Sequence, residues 1–178
     1  MSNGQEMTPD AANIALTGFM AAGKTVVGRR LARVLGWSFV DLDAVIEAGE
    51  GRAVREIFAS RGEPYFRERE KTALGQVLDG SEQVIALGGG AVVDPDNLAL
   101  LKQRSLLVWL RVSPGTVLSR VGGGDDRPLL QGPDRLKRIQ ELSAQREGIY
   151  AQAGVTVDTD ELTVDQVVQR IRQQLCRP

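Results

Sequence analysis

One octet constrains this chain more than any other feature. Gly18-Phe-Met-Ala-Ala-Gly23-Lys24-Thr25 stands between an apolar run, Asn13-Ile-Ala-Leu-Thr17, and a helix-like stretch from Lys24 to Leu35. The spacing is that of the Walker A loop, and the flanking elements are the ones such a loop needs. Glycines let the backbone bend so that successive N–H groups point inward at phosphate oxygens. The helix that follows aims its positive end at the same place. Gly18, Ala21, Ala22, Gly23, Lys24 and Thr25 are therefore the expected nucleotide contacts. Lys24 is expected to reach the β- and γ-phosphates, and Thr25 to offer its hydroxyl to Mg2+. The competing reading is an accidental match, a Gly-rich turn before a surface helix. A strand before the loop and a helix after it weigh against that.

The rest of the chain alternates in the same way. Ser38–Asp41, Gln83–Leu87, Ser105–Arg111 and Val155–Val157 read as strands. Lys24–Leu35 reads as a helix with Val27, Leu31, Val34 and Leu35 on one face, and Ala53–Leu78 as a helix broken near Gly62-Glu63-Pro64. Asp96–Lys102, Pro114–Val121, Asp134–Gln145 and Thr163–Leu175 complete the helices, the last opened by Thr163 as N-cap. Such alternation predicts a three-layer α/β domain, a buried parallel sheet with helices on both faces. A length of 178 residues suits one domain, taken as residues 13–178, after a polar tail over 1–12. Gly122–Gly132, rich in glycine and bounded by Gly132-Pro133, has the composition of a mobile lid.

Composition excludes several classes of chemistry. The formal charge of −1 supplies no basic field for nucleic acid, although arginines cluster at Arg67/Arg69 and between Arg120 and Arg146. Local clusters suit a small anion. No apolar run approaches membrane-spanning length, and residues 1–12 lack a basic segment followed by an apolar one. The single cysteine, Cys176, fits a reducing, cytoplasmic location. Histidine is absent, which removes His-based triads and His–zinc sites. Phosphoryl transfer tolerates that absence, because positioning and charge neutralisation supply most of its acceleration.

Three further features point to an acceptor for the phosphoryl group. Asp41-Leu42-Asp43 closes the second strand at the carboxyl edge of the sheet, and a strand's period of two would put both carboxylates on one side. There they could hold Mg2+ and accept a hydroxyl proton, although a solvated turn is the plainer reading of Asp-x-Asp alone. Gly88-Gly89-Gly90 follows the third strand and offers bare backbone to a ligand, or is a flexible turn. Arg67 could clamp a carboxylate bidentately, or simply pair with Glu63 or Glu70. Arg146 faces the same competition. So does Arg127, inside the expected lid.

Taken in order, these residues resemble the shikimate kinase family. The resemblance runs from about Asn13 to Leu175 through the Walker A octet, Asp41-Leu-Asp43, Glu47, Ile57-Phe58, Gly62-Glu63, Phe66-Arg67-x2-Glu70, Gly88-Gly-Gly90-Ala-Val, Arg127-Pro-Leu-Leu130, and Arg146 with Tyr150. It implies ATP-dependent phosphorylation of the 3-hydroxyl of shikimate, in the making of chorismate and the aromatic amino acids. It also implies a nucleoside-monophosphate-kinase type of sheet, five parallel strands in the order 2-3-1-4-5, and a monomer. By matching position, Asp43 would grip the shikimate hydroxyls and act as base, while Asp41 and Thr25 would support Mg2+. Arg67 and Arg146 would bind the carboxylate, and Gly88, Gly89 and Gly90 the ring hydroxyls. Arg127 would close onto phosphate and Arg120 lie along the adenine.

Three positions depart from the family pattern. Ala21 stands where a further glycine is common, and alanine suits the loop if its φ is negative. Leu87 replaces a frequent threonine, and Val157–Leu162 has no clear match to the usual adenine loop. Two rivals share the octet: a gluconate-kinase-like enzyme, which needs no arginine pair, and a catalytically inactive module that senses a ligand.

Overall fold

The computed structural model describes residues 13–121 and 134–175. The tail over 1–12, the expected lid with Arg127, and Cys176 lie outside the described residues.

Five short strands form one sheet among the described residues: β1 (Asn13–Thr17), β2 (Ser38–Asp41), β3 (Gln83–Ala86), β4 (Leu106–Arg111) and β5 (Val155–Asp158). All pairings are parallel and the order is β2-β3-β1-β4-β5, as expected. β1 is buried along its whole length, which is why it reads as a continuous apolar run. Its side chains nevertheless divide between two cores. Ile14 and Leu16 pack with Val84, Val108 and Leu110 on one face, and Ala15 packs with Ile85, Leu107 and Trp109 on the other.

Helices cover both faces. α1 (Lys24–Leu35) and α7 (Val164–Leu175) seal the first core through Val27, Leu31, Val167, Val168 and Ile171. The buried stripe of α1 is Val27, Gly28, Leu31 and Ala32, while Val34 is exposed. The helix is thus turned so that its small residues approach the sheet. α7 opens on a reciprocal cap, Thr163 Oγ1 accepting from the Gln166 N–H and Gln166 Oε1 from the Thr163 N–H.

The second core lies under α2 (Leu42–Glu50), α3 (Val54–Leu78), α4 (Pro95–Arg104), α5 (Pro114–Val121) and α6 (Arg135–Tyr150). α3 is kinked where the sequence breaks: Gly62 has φ 80° and ψ 171°, an extended left-handed combination open to glycine, and Pro64 follows. α6 runs five residues past Gln145, so its last turns carry Arg146 and Tyr150. β3 stops at Ala86, yet the Leu87 N–H still donates to the Leu16 carbonyl. The chain therefore leaves β1, β2 and β3 at one edge of the sheet, and the loops that follow them meet there.

Candidate active site

The octet after β1 folds as a phosphate loop. Gly18 has φ 141°, and a Cβ there would lie 2.5 Å from the Leu110 carbonyl oxygen, so only glycine fits between β1 and β4. Ala21 contradicts the expectation of a negative φ: its φ is 59°, in the left-handed region. Lys24 folds over the loop, its Nζ donating to the carbonyls of Gly18 at 2.8 Å and Phe19 at 3.0 Å. Ala22 is buried beneath, in the first core.

Thr25, one residue into α1, donates from Oγ1 to Asp41 Oδ2 at 3.2 Å. Asp41 ends β2 and also caps α2, its Oδ1 accepting from the Asp43 N–H at 3.2 Å. Asp43 therefore belongs to the first turn of α2 and not to the strand. The two carboxylates converge because one caps the helix that carries the other, rather than through strand alternation.

A cleft of about 450 Å3 opens at this edge, and Lys24, Thr25, Asp41, Asp43, Arg67, Gly88, Gly89, Gly90 and Arg146 all line it. Arg67 comes from α3, just beyond the kink. Its Nη2 donates to Glu63 at 3.0 Å and its Nη1 to Glu70 at 2.7 Å, so it makes both ion pairs that the sequence offered. Arg146 reaches over from α6, 3.4 Å from the Gly89 carbonyl. Arg120 does not line the cleft. It donates to the carbonyls of Ala21 at 3.0 Å and Thr159 at 3.4 Å, tying the phosphate loop to the turn after β5.

Glu70 is the site residue to which sequence reasoning gave no role. It is 1% exposed and lines the cleft, and its Oε1 has no hydrogen-bond partner among the described residues. Its signals in the sequence were its place in the family-like run Phe66-Arg67-x2-Glu70 and an i,i+3 spacing from Arg67, and such a spacing most often marks a solvated ion pair. Phe58 and Phe66 also line the cleft, with ring centroids 4.6 Å apart, and give it one apolar wall.

The charges in this space are graded by their surroundings. Burial pushes the Asp43 carboxyl above the ordinary aspartate range; Asp41 and Glu47 add to the rise, while Lys24 and Arg67 oppose it. Burial also raises Glu70, against the pull of Arg67. For Arg67 burial weighs against the charge, but the bonds and charges of Glu70 and Glu63 outweigh it, leaving a firmly cationic guanidinium. A phosphate cradle, a carboxylate of raised proton affinity and two arginines thus share one cleft.

The family model for shikimate kinase matches residues 20–176. A shikimate kinase of Moorella thermoacetica is 48% identical over 163 residues, covering 92% of this chain and 94% of that protein. The chain belongs to the shikimate kinase family. A second relative, from Symbiobacterium thermophilum, is 45% identical over 92% of this chain and 95% of its own length. Among solved structures, shikimate kinase from Acinetobacter baumannii in complex with shikimate superposes with a TM-score of 0.88 at 36% identity, covering 94% of each chain. A gluconokinase from Sinorhizobium meliloti shares the fold alone, with a TM-score of 0.61 at 17% identity.

Proposed function

We infer that the chain transfers the γ-phosphoryl group of ATP to the 3-hydroxyl of shikimate, giving shikimate 3-phosphate on the way to chorismate and the aromatic amino acids. The observation that carries this reading is the meeting of Lys24, Asp43, Arg67 and Arg146 in one cleft, within a chain of this family. Two guanidiniums suit one carboxylate, and for so small and polar a substrate each charge-assisted bond is worth roughly 1.5–3 kcal/mol. The bare backbone of Gly88, Gly89 and Gly90 leaves room for ring hydroxyls.

In the transfer, the shikimate oxygen forms a bond to the γ-phosphorus as the bond to the β,γ-bridging oxygen breaks, and ADP leaves. The hydroxyl proton goes to Asp43, whose raised proton affinity suits a base. Lys24 and the loop N–H groups balance the charge on the β- and γ-phosphates. Arg127, from the segment outside the described residues, would close on the same charge, and Arg120 would flank the adenine.

The residues present fit Mg2+. Thr25 Oγ1 and Asp41 Oδ2 lie side by side, a hydroxyl and a carboxylate of the kind that holds this ion together with phosphates and water. Bound there, it would neutralise phosphate charge. A cytoplasmic monomer completes the reading, the single cysteine suiting a reducing compartment and the monomer following from the family resemblance.

An assay of ADP release over a panel of hydroxy acids tests this. Turnover on shikimate is expected, and Lys24→Met should abolish it with the melting temperature unchanged. Activity on gluconate and none on shikimate overturns the choice of acceptor. Binding of both substrates with no turnover would show a ligand sensor instead.

A further inference from the structure

Arg146 and Tyr150 stand four residues apart in the last turns of α6, hence on one face, and both reach the same carbonyl oxygen. The Tyr150 hydroxyl donates to the Gly89 carbonyl at 2.6 Å, whereas Arg146 Nη1 stands 3.4 Å from it, at the outer edge of a hydrogen bond. The stronger tie is therefore the phenol's. We propose that Tyr150 is a positioning residue for the acceptor site: it satisfies the Gly89 carbonyl and so leaves the Arg146 guanidinium available to the substrate carboxylate. The proposal rests on the reading of Arg146 given under Proposed function.

The phenol is well held for this task. Tyr150 is 2% exposed, and its ring packs against Trp109 with centroids 5.8 Å apart and planes tilted by 33°. Trp109 lies on β4 opposite Thr17, the last residue before the phosphate loop. The hydroxyl is thus located by the core and not only by its hydrogen bonds to Gly89 and Arg146. Burial keeps the phenol above its ordinary pKa, while the charge of Arg146 and its hydrogen bond to the phenol oxygen pull the other way, so the hydroxyl remains a donor to Gly89 and helps to orient the guanidinium.

Gly89 sits where the parts of the site converge. A Cβ there would lie 3.5 Å from Arg146 Nη1, 3.6 Å from the Gly18 carbonyl oxygen and 3.7 Å from the Tyr150 hydroxyl. Without the phenol, this half-buried carbonyl would lose its one short donor. A half-buried acceptor left with one long donor is poorly satisfied, and the nearest repair is for Arg146 to shorten its 3.4 Å contact. A guanidinium committed to Gly89 has less to offer a carboxylate in the cleft.

The test uses the full chain and its Tyr150→Phe variant, which keeps the ring and removes the hydroxyl. Steady-state kinetics and calorimetric titration with shikimate are compared at a temperature where both chains are folded. KM and Kd for shikimate should rise about three- to tenfold, the scale of one neutral hydrogen bond, with KM for ATP unmoved. In an Arg146→Ala background the same substitution should change KM for shikimate by less than about twofold, because the two residues act through one contact. An unchanged KM in Tyr150→Phe overturns the proposal, even if the melting temperature falls. An equal rise with and without Arg146 overturns it too, since Tyr150 would then act independently. A parent chain that binds no shikimate overturns this proposal together with the reading of the site. A parent that binds shikimate as tightly as its variant overturns the role of Tyr150 alone.

Discussion

Thr25 and Asp41 meet across the mouth of the sheet, the hydroxyl of the first donating to Oδ2 of the second at 3.2 Å. The contact joins the end of the phosphate loop to the end of β2, and the other oxygen of Asp41 is held by the Asp43 N–H. Substitution by asparagine keeps an equally good helix cap while removing the charge. Asp41→Asn should therefore fold normally and require several-fold more Mg2+ for half-maximal rate at fixed ATP. Titration of Mg2+ against initial rate measures this, and an unshifted midpoint removes Asp41 from the proposed ion site.

Asp43 sets function against stability. Its carboxyl is raised above the ordinary value of 3.8 by burial first and then by Asp41. A raised folded-state value means that the protonated form is favoured on folding. The stability this brings is complete below the unfolded-state value and is lost as pH rises through the folded-state one. At neutral pH the ionised group thus costs stability. Asp43→Asn should melt above the parent at pH 7, with the gap closing towards pH 4, while kcat falls by about 10²–10⁴. In the parent, the acid limb of kcat/KM should lie above that of an ordinary aspartate. Melting curves across pH and a pH–rate profile check both signs, and a variant less stable at pH 7 contradicts the burial argument.

Gly90 governs Arg67 by space alone. Its φ of −105° and ψ of −7° are open to alanine, yet a Cβ would lie 2.6 Å from Arg67 Nη2 and 2.7 Å from Nη1. Those atoms are the far end of a flexible side chain, so the arginine and not the loop would give way. Gly90→Ala should therefore fold and raise KM for shikimate about ten- to a hundredfold, as the loss of one charge-assisted bond would. Arg67→Ala should do the same, and the double variant should be scarcely worse than either. Additive effects would mean that Gly90 acts on the substrate by some other route.

Much of the fold was legible because buried parallel strands write themselves as apolar runs and because the phosphate loop needs its glycines in fixed places. The parts that were not legible lie where one residue serves two elements. Asp41 ends β2 and caps α2 with no turn residue between them, so nothing in Asp41-Leu42-Asp43 marks the passage from period two to 3.6. Gly148 lowers helix propensity near the end of α6, and the helix continues through it to Tyr150, which the Trp109 contact and the Gly89 bond anchor. Glu70 looked like a solvated partner of Arg67. Its burial depends on how α3 lies against the cleft after the Gly62 kink, which no local pattern records.

Ala21 is the one place in the phosphate loop where the residue and the backbone disagree. At φ 59° its Cβ crowds its own carbonyl, a conformation that costs an alanine about 1–2 kcal/mol and a glycine almost nothing. Glycine gains freedom in the unfolded chain worth about 0.4–1 kcal/mol, which offsets part of the relief. The balance favours Ala21→Gly by about 0.5–1 kcal/mol, or about 1–4 °C in melting temperature for a chain of this size. The loop should keep its shape, since the Ala21 carbonyl is held by Arg120 Nη1 at 3.0 Å and glycine retains that carbonyl. KM for ATP should accordingly stay within about twofold of the parent. Calorimetry and ATP kinetics on the same preparation decide the matter. A lower melting temperature would place the strain elsewhere, and a raised KM for ATP would mean that the methyl group holds the cradle in its working form.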